Sequence, residues 1–336
     1  MTAVLFTCAG QRVDIVSAFN RAGAHTVATD ADRLAPALYH AHRMAVAPRI
    51  DTAEYVPALA SLIREHDVRL LIPLTDLDQA LLSRSREALT PALVLVQEPE
   101  VCTAMGDKWL AHVFFQEHGI PSPRGWLPAD VPDDARYPLL VKVREGFGSR
   151  HIYRARDPEQ LMFHLRTTPV DSFVQELCQG EEFSIDVFCD LDGRCLNAIP
   201  RTMIQSKGGE SIKGRSIRDW ELIEHARNVA ETIGIRGPAN VQCFREPDGS
   251  LPLTDVNPRF GGAFPLPLAA GGRYPELALA LARGERPEPC LGEFREGVVM
   301  TRFFSDLCLV EGPDGGLVPF PEEVPDPTGR DLLSDR

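Results

Sequence analysis

The first third of the chain alternates short apolar runs with longer amphipathic segments. Apolar runs at 3–7 and 68–73 are followed by stretches such as 51–67 and 76–89, in which apolar residues recur at helical spacing. Strand-like and helix-like segments in alternation predict a parallel sheet with helices packed on it. We therefore predict an α/β domain at the N-terminus, over residues 1–98.

The rest of the chain has a mixed pattern. A proline- and aspartate-rich segment at 124–136 interrupts the periodicity. Asp-Gly pairs at Asp192 and Asp248 stand between alternating strands, as in β-hairpins. Later the composition turns to Pro, Asp, Glu and Gly, so we expect residues 311–336 to form a loosely ordered tail. The other predicted elements are helices over 107–118, 157–166, 219–233 and 275–283, and strands over 138–143, 151–155 and 172–177.

Composition restricts the class of protein. The chain has 336 residues, of which 44% are hydrophobic and 25% charged, which is typical of a globular protein of two or three domains. Its formal net charge of -13 makes the surface repel phosphate backbones and anionic lipids, so we expect neither a nucleic acid nor a membrane as partner. The first apolar run is too short for a signal peptide or a membrane span, and we expect a cytoplasmic protein.

Cysteine and glycine spacing argue against two common kinds of site. The eight cysteines contain no CxxC pair, which favours reduced thiols over zinc ligands or disulfides, and the pair His40 and His42 lacks helical metal-ligand spacing. Gly10 after the first strand and Asp30 after the second resemble part of a dinucleotide fingerprint, but the full GxGxxG is missing. A Rossmann-like platform whose first turn needs one glycine is the better interpretation.

The second hairpin predicts a cluster of oxygen ligands. If Asp248-Gly249 is a two-residue turn, Gln242 faces Asp255 and Asn240 faces Asn257, and all four side chains lie on one face of the hairpin. The same register pairs Cys243 with Thr254. Carboxylate and amide oxygens in this arrangement suit magnesium bound together with phosphates, although a hydrated sheet face is the alternative.

Two neighbouring motifs carry cations. Arg259 follows Asn257-Pro258 and could hold a phosphate or a developing oxyanion, unless it is a solvent-exposed loop residue. Lys142 lies in the predicted strand 138–143 and is followed by a glycine-containing turn, EGFGSR, which has the chemistry of a phosphate cover. The turn lacks the ending of a P-loop, and in isolation a structural turn is the more common explanation.

Taken together, six separated segments resemble the ATP-grasp superfamily. They are DK at 107–108, HGIPSP at 118–123, LLVKVREGFGS, VQELCQGEEFSIDV, GPANVQCF and LTDVNPRFGG. Within the superfamily, the likeness is to single-module ligases that resemble half of a carbamoyl-phosphate synthetase large chain, and it covers roughly residues 1–305. It implies an α/β fold with a Rossmann-like pre-ATP-grasp domain at 1–98 and an ATP-grasp domain at 99–310. The latter would consist of two α+β subdomains that clasp ATP, with the lid subdomain at about 124–176.

The resemblance also implies the nucleotide contacts. Lys108 and Lys142 would contact the ATP phosphates, and Glu182 would bind the ribose hydroxyls. The lid turn would contain Gly146, Gly148 and Ser149. The adenine hinge would be formed through backbone groups of Gln175, Glu176, Leu177 and Cys178.

The resemblance further implies a metal site and a reaction centre. Gln242, Asp255 and Asn257 would bind one or two Mg²⁺ ions, with Mn²⁺ as a substitute. Arg259 would steady the transferred phosphoryl group, and Lys207 would face a phosphate. Arg201 is a candidate for binding a substrate carboxylate. The family usually has Glu where this chain has Asp255. This departure is consistent with a looser metal site, and also with a degenerate site that is not catalytic.

The implied activity is an ATP-dependent carboxylate-amine ligase with an acyl-phosphate intermediate. It would join a small carboxylic acid, an amino acid by preference, to an amine with release of ADP and phosphate. Two alternatives stay open: a carboxyphosphate or carbamate-forming enzyme that uses bicarbonate, and a nucleotide-binding protein that is not a ligase. The expected partners are small-molecule carboxylate and amine substrates, and family habit suggests a homodimer.

Overall fold

The computed structural model describes residues 1–146, 151–207, 210–313 and 315–320, with the side chains of Lys207 and Glu210 outside the description. The chain divides into two compact units, residues 1–302 and residues 303–336. Among the described residues, no helix is both long and apolar enough to cross a membrane.

The N-terminal part of the first unit is a parallel α/β domain, as predicted. Its five strands run in the order β3-β2-β1-β4-β5, and all registered pairs are parallel. Leu5, Val27 and Leu71 pack beneath α2 on one face of the sheet, and Phe6 packs against Phe19 of α1 on the other. The elements are β1 (Ala3–Thr7), α1 (Val13–Arg21), β2 (His25–Asp30), β3 (Arg43–Val46), α2 (Tyr55–Glu65), β4 (Val68–Pro73), α3 (Gln79–Arg84) and β5 (Leu93–Val94).

Two short helices and a small antiparallel sheet follow. Asp107 caps the second helix by accepting hydrogen bonds from the amides of Trp109 and Leu110. The sheet has the order β6-β9-β7-β8, and its core contains Leu139, Val141 and Leu161. The elements are α4 (Pro99–Gly106), α5 (Lys108–Glu117), β6 (Gly125–Trp126), β7 (Leu139–Val143), β8 (Tyr153–Ala155), α6 (Pro158–Thr167) and β9 (Ser172–Glu176). The sequence pattern predicted α5 and α6 but not α4.

The largest sheet of the first unit is antiparallel and carries most of the predicted site residues. Its strand order is β14-β13-β10-β11-β12-β15. Apolar side chains of β10, β13 and the helix α7 fill one face, which includes Ile185, Val241 and Ala226. The elements are β10 (Glu181–Cys189), β11 (Cys195–Lys207), β12 (Glu210–Ser216), α7 (Trp220–Ile233), β13 (Gly237–Arg245), β14 (Leu253–Asn257), α8 (Pro265–Ala269), α9 (Tyr274–Ala282) and β15 (Val299–Thr301).

Near the site, the hairpin of β13 and β14 has the predicted register. The turn that connects the two strands, however, is longer than predicted. The Glu246 amide donates to the Ser250 carbonyl at 3.0 Å, so the turn has three residues, which end in Gly249 at φ +85°. A bulge at Thr254 then shifts the pairing back, and Gln242 faces Asp255. The predicted pairing of Cys243 with Thr254 is wrong, because the bulge pairs Cys243 with Leu253.

The second unit contains a hairpin of β16 (Leu309–Glu311) and β17 (Leu317–Pro319). This hairpin overlaps the start of the segment that was predicted to be a loose tail. Residues 321–336, the rest of that predicted tail, lie outside the described residues.

Candidate active site

The open face of the large sheet presents polar side chains. Asn240 and Asn257 are cross-strand partners, as are Gln242 and Asp255, so the four side chains share one face. The opposite face is apolar: Val241 and Val256 are at most 1% exposed. Gln242, Asp255 and Asn257 are half-buried, whereas Asn240 is buried. The four oxygen-bearing side chains therefore lie on one face, as the register predicted, and their role as metal ligands stays a prediction.

The donor set fits a cation only with help from another ligand. The side-chain amide of Gln242 makes no hydrogen bond to a described residue, and Asp255 accepts one weak bond, from Asn257 Nδ2 at 3.4 Å. The Asn257 Oδ1 atom already accepts a bond from Arg259 at 3.1 Å, so a metal role would require its amide to rotate. In the described part of the chain no three His, Cys, Asp or Glu side chains form a metal cluster. Gln242 and Asp255 would thus bind Mg²⁺ together with phosphate oxygens and water.

Lys142 lies on β7 of the small sheet, and Asp255 of the polar face affects the pKa of its ammonium group. Its Nζ donates to Gln175 Oε1 at 2.7 Å, and Gln175 is only 3% exposed. Burial lowers the pKa of Lys142, and the nearby Lys108 lowers it further, while Asp255, Cys178 and Glu182 oppose the shift. These named neighbours bring the predicted phosphate, metal and ribose residues into one electrostatic environment.

Lys108, the first residue of α5, belongs to the same group of charged residues. Its Nζ donates to the Gly146 carbonyl at 2.7 Å, and its amide donates to the Arg144 carbonyl at 2.8 Å. Arg144 also binds the capping residue Asp107 at 2.5 Å. Burial would raise the pKa of Asp107, but the Arg144 guanidinium and two backbone amides reverse the effect, so the pKa is lowered. The predicted lysine is thus attached to the base of the predicted lid turn.

The predicted adenine hinge connects β9 to β10. No backbone hydrogen bond joins Leu177 or Cys178 to another described residue outside regular strand pairing, so their backbone groups can bind a ligand. Glu176 lines a cavity with Arg124 and Trp126. On β10, Glu182 is half-buried, and burial raises its pKa while Lys142 and Arg201 oppose the rise.

Arg201 has a partner that the sequence did not reveal. It forms an ion pair with Asp186 of β10 at 3.0 Å, and both side chains are 4% exposed. Asn240 donates to the other oxygen of Asp186 at 2.9 Å and accepts from Ser184 at 3.1 Å. The role of Arg201 in binding a substrate carboxylate stays a prediction, since most of its surface is covered by this network.

Three predicted residues have side chains that the structure leaves undescribed. Gly148 and Ser149 of the predicted lid turn lie outside the described residues. Lys207 is the last residue of β11, and its side chain is likewise not described. Their predicted roles stay predictions.

Arg259 contacts a residue of the N-terminal domain that the sequence analysis missed. Its Nε donates to Asp76 Oδ2 at 2.9 Å, and its Nη2 donates to Asn257. Arg12, in the loop after β1, donates to the carbonyls of Phe260 and Gly261 at 3.2 and 3.0 Å. Asp76 lies in the loop that follows β4, which ends at Pro73. This position is the one signal that could have found it, because ligands of parallel sheets bind at the carboxyl ends of strands.

Comparison with known proteins agrees with this geometry. A family model described as an ATP-grasp in the biosynthetic pathway with Ter operon matches residues 168–303. A model of the PylC-like N-terminal domain matches residues 4–95. No curated protein sequence matches the chain.

Solved structures share the fold over most of the chain. A biotin carboxylase from Campylobacter jejuni is 14% identical with a TM-score of 0.71, over 89% of this chain and 74% of its own. An L-amino acid ligase from Bacillus licheniformis is 18% identical with a TM-score of 0.69, over 88% and 78%. An N5-carboxyaminoimidazole synthetase from Staphylococcus aureus is 15% identical with a TM-score of 0.69, over 86% and 79%. These likenesses confirm the predicted fold class.

Proposed function

Because the chain belongs to the ATP-grasp superfamily, we propose that it is an ATP-dependent carboxylate-amine ligase that activates an amino acid as an acyl phosphate. An amine then displaces the phosphate to give an amide. The chain's likeness to an L-amino acid ligase supports the amino-acid class of substrate.

The observation that carries this proposal is the grouping of cations and carboxylates around Lys142. Lys142 Nζ donates to Gln175 at 2.7 Å, and Lys108 Nζ donates to Gly146 at 2.7 Å. Lys108, Asp255 and Glu182 all affect the pKa of Lys142. Two lysines opposite an oxygen-rich sheet face suit a triphosphate with its cation better than they suit a dinucleotide.

Composition supports the role of the lysines. The chain contains 4 lysines among 35 basic residues, and three of the four are Lys108, Lys142 and Lys207. Lysine is a compact, flexible point charge, whereas arginine is a planar fork, so the two are not interchangeable at a phosphate. Arginine occupies nearly all of the remaining basic positions, and lysine occurs where we propose that a nucleotide phosphate binds.

The chemistry needs little covalent work from side chains. A carboxylate oxygen of the amino acid attacks the γ-phosphorus in line, and the bond from that phosphorus to the β,γ-bridging oxygen breaks to release ADP. Lys108, Lys142 and Arg259 reduce the charge repulsion between the two anions. Mg²⁺, when bound by Asp255 and Gln242, would supply further charge neutralisation at the phosphates.

The second step forms the amide. The amine nitrogen bonds to the carbonyl carbon, the carbon–oxygen bond to phosphate breaks, and hydrogen phosphate leaves. An amine that arrives as an ammonium ion loses two protons in total: one ends on the phosphate and one goes to solvent. Because acyl phosphates hydrolyse, the lid must cover this intermediate.

A bicarbonate-using enzyme is the second candidate, since the biotin carboxylase and the carboxyaminoimidazole synthetase share the fold. The first step would be the same, with bicarbonate in place of the amino acid. The two functions therefore differ in the acid that stimulates ADP release.

The test is a screen of ADP release. The protein is incubated with Mg-ATP, hydroxylamine and each of the proteinogenic amino acids or bicarbonate, and hydroxamates are detected as their ferric complexes. We expect at least one amino acid to give ADP and hydroxamate in equal amounts. Stimulation by bicarbonate alone would favour the second candidate, and ADP release that no acid stimulates would contradict both.

A further inference from the structure

The strand order of the N-terminal domain predicts a crevice at the carboxyl ends of β1 and β4. The strand order is β3-β2-β1-β4-β5, so β2 lies on one side of β1 and β4 lies on the other. The loops that follow β1 and β4 therefore lead away from each other. Small ligands of parallel sheets bind at such points, outside the carboxyl ends of the strands.

Both loops at this crevice contact the segment that follows β14. Arg12, after β1, donates to the Phe260 and Gly261 carbonyls, and Asp76, after β4, binds Arg259. Phe260 is 2% exposed and packs against Phe19 at 6.2 Å, which fixes the segment against the N-terminal domain. The carboxyl ends of β1 and β4, where the crevice is predicted, therefore lie beside the proposed phosphoryl-binding arginine.

Asp76 is the carboxylate at this position that has binding capacity left. Its side chain is 41% exposed, and only Oδ2 accepts from Arg259, while Oδ1 accepts no hydrogen bond from a described residue. Asp186, by contrast, is buried and uses both oxygens on Arg201 and Asn240. Asp255 and Glu182 face Lys142 on the nucleotide side of the site.

We propose that Asp76 binds the ammonium group of the amine substrate and places it beside Arg259. This inference rests on the proposed ligase function and extends it from the carboxylate to the second substrate. A carboxylate with one free oxygen attracts a cationic amine, and its neighbour Arg259 would interact with the acyl phosphate that the amine attacks. The exposed side chain of Leu77, at 64%, offers an apolar contact for the carbon chain of that amine.

A purely structural role for Asp76 makes a different prediction. If Asp76 only orients Arg259, its loss impairs the activation of the acid, and every amine acceptor suffers equally. If Asp76 binds the ammonium group, acceptors without a positive charge are unaffected. Hydroxylamine, which is uncharged at neutral pH, separates the two roles.

The experiment compares Asp76→Asn with Asp67→Asn. Asp67 lies at the opposite end of β4, is exposed, and has φ +49°, which Asn also adopts, so this control removes the same charge from the same domain. Each protein is assayed with the acid found in the screen and one of two acceptors. The first acceptor is hydroxylamine, and the second is the amino acid that the parent ligates fastest. Asp76→Glu serves as a charge-preserving variant.

For Asp76→Asn we expect the KM for the amino-acid acceptor to rise about 10- to 100-fold, the range of a charge-assisted hydrogen bond. Hydroxamate formation and the KM for ATP should stay within about twofold of the parent, and Asp76→Glu should recover part of the loss. Equal losses with both acceptors, or no loss with either, would overturn the proposal. Failure of the parent itself to form any hydroxamate would count against the ligase function instead.

Discussion

Replacing Lys142 by methionine tests the nucleotide site and separates function from stability. Methionine keeps an unbranched side chain of similar length but removes the charge that donates to Gln175. A charge-assisted contact to a phosphate contributes about 1.5–3 kcal/mol, so kcat/KM for ATP should fall about 10- to 150-fold. Arg166→Met, which removes an exposed cation at the end of α6, should leave this parameter unchanged.

The same substitution should not destabilise the fold by more than about 1 kcal/mol. It leaves Gln175 Oε1 without its partner, which costs about 1–3 kcal/mol, but it also removes a buried charge. Burial lowers the pKa of Lys142, so the folded protein binds this proton less tightly than the unfolded chain does. The stability of the parent should therefore rise with pH between the lowered pKa and about 10.4, and the Lys142→Met variant should lack this rise.

The assays are the ATP dependence of ADP release and urea unfolding at pH 7 and pH 10. The expected outcome is a variant with weak ATP use and a flatter dependence of stability on pH. Parental kinetics with ATP would remove Lys142 from the nucleotide site. An unchanged pH dependence of unfolding would refute the argument that its ammonium group is poorly solvated.

Three further substitutions test other parts of the site. Asp255→Asn removes the carboxylate of the metal-binding set, so activity should fall at least about 100-fold with Mg²⁺ while the unfolding midpoint stays near the parent; full activity at saturating Mg²⁺ would contradict the assignment. Gly261→Ala places a Cβ 2.5 Å from Asp186 Oδ1 and should cost about 1–3 kcal/mol in urea unfolding, whereas Gly262→Ala meets no atom within 4 Å; equal unfolding midpoints would contradict this packing. Asp78 is buried, and burial raises its pKa above the value of about 4 that it has in the unfolded chain. As the pH rises above about 4, the parent should therefore lose stability relative to the Asp78→Asn variant. A difference in Tm between the two proteins that is constant with pH would disprove this prediction.

Local sequence patterns predicted most of the longer elements but not their ends or turns. The site hairpin shows why, because two deviations cancel: the turn ending at Gly249 has one residue more than predicted, and the bulge at Thr254 restores the register. The first hairpin repeats this design, with a three-residue turn after Asp190 and a bulge at Leu196. An Asp-Gly pair thus located both turns, but the choice between two- and three-residue turns depends on strand pairing that is not local.

The sequence pattern did not predict contacts between segments that are far apart in the chain. The partners Asp76 and Arg259 are 183 positions apart, and no periodicity connects them. Arg201 was a candidate for binding a substrate carboxylate, and the structure pairs it with Asp186, which alternation within β10 did not single out. The resemblance to the ATP-grasp superfamily grouped Lys108, Lys142 and Asp255 because it carries the tertiary fold that a single sequence lacks. In the structure, Lys108 and Asp255 both affect the pKa of Lys142, while the roles of these residues stay predictions.

The acyl phosphate is the central claim, and isotope transfer tests it most directly. The accepted amino acid is labelled with ¹⁸O in its carboxylate, ligation is run with unlabelled ATP, and the mass of the released phosphate is measured. The proposed reaction predicts one ¹⁸O in phosphate for each amide formed, because the attacking carboxylate oxygen leaves with phosphorus. Amide formation with unlabelled phosphate, or with the label in AMP, would contradict it.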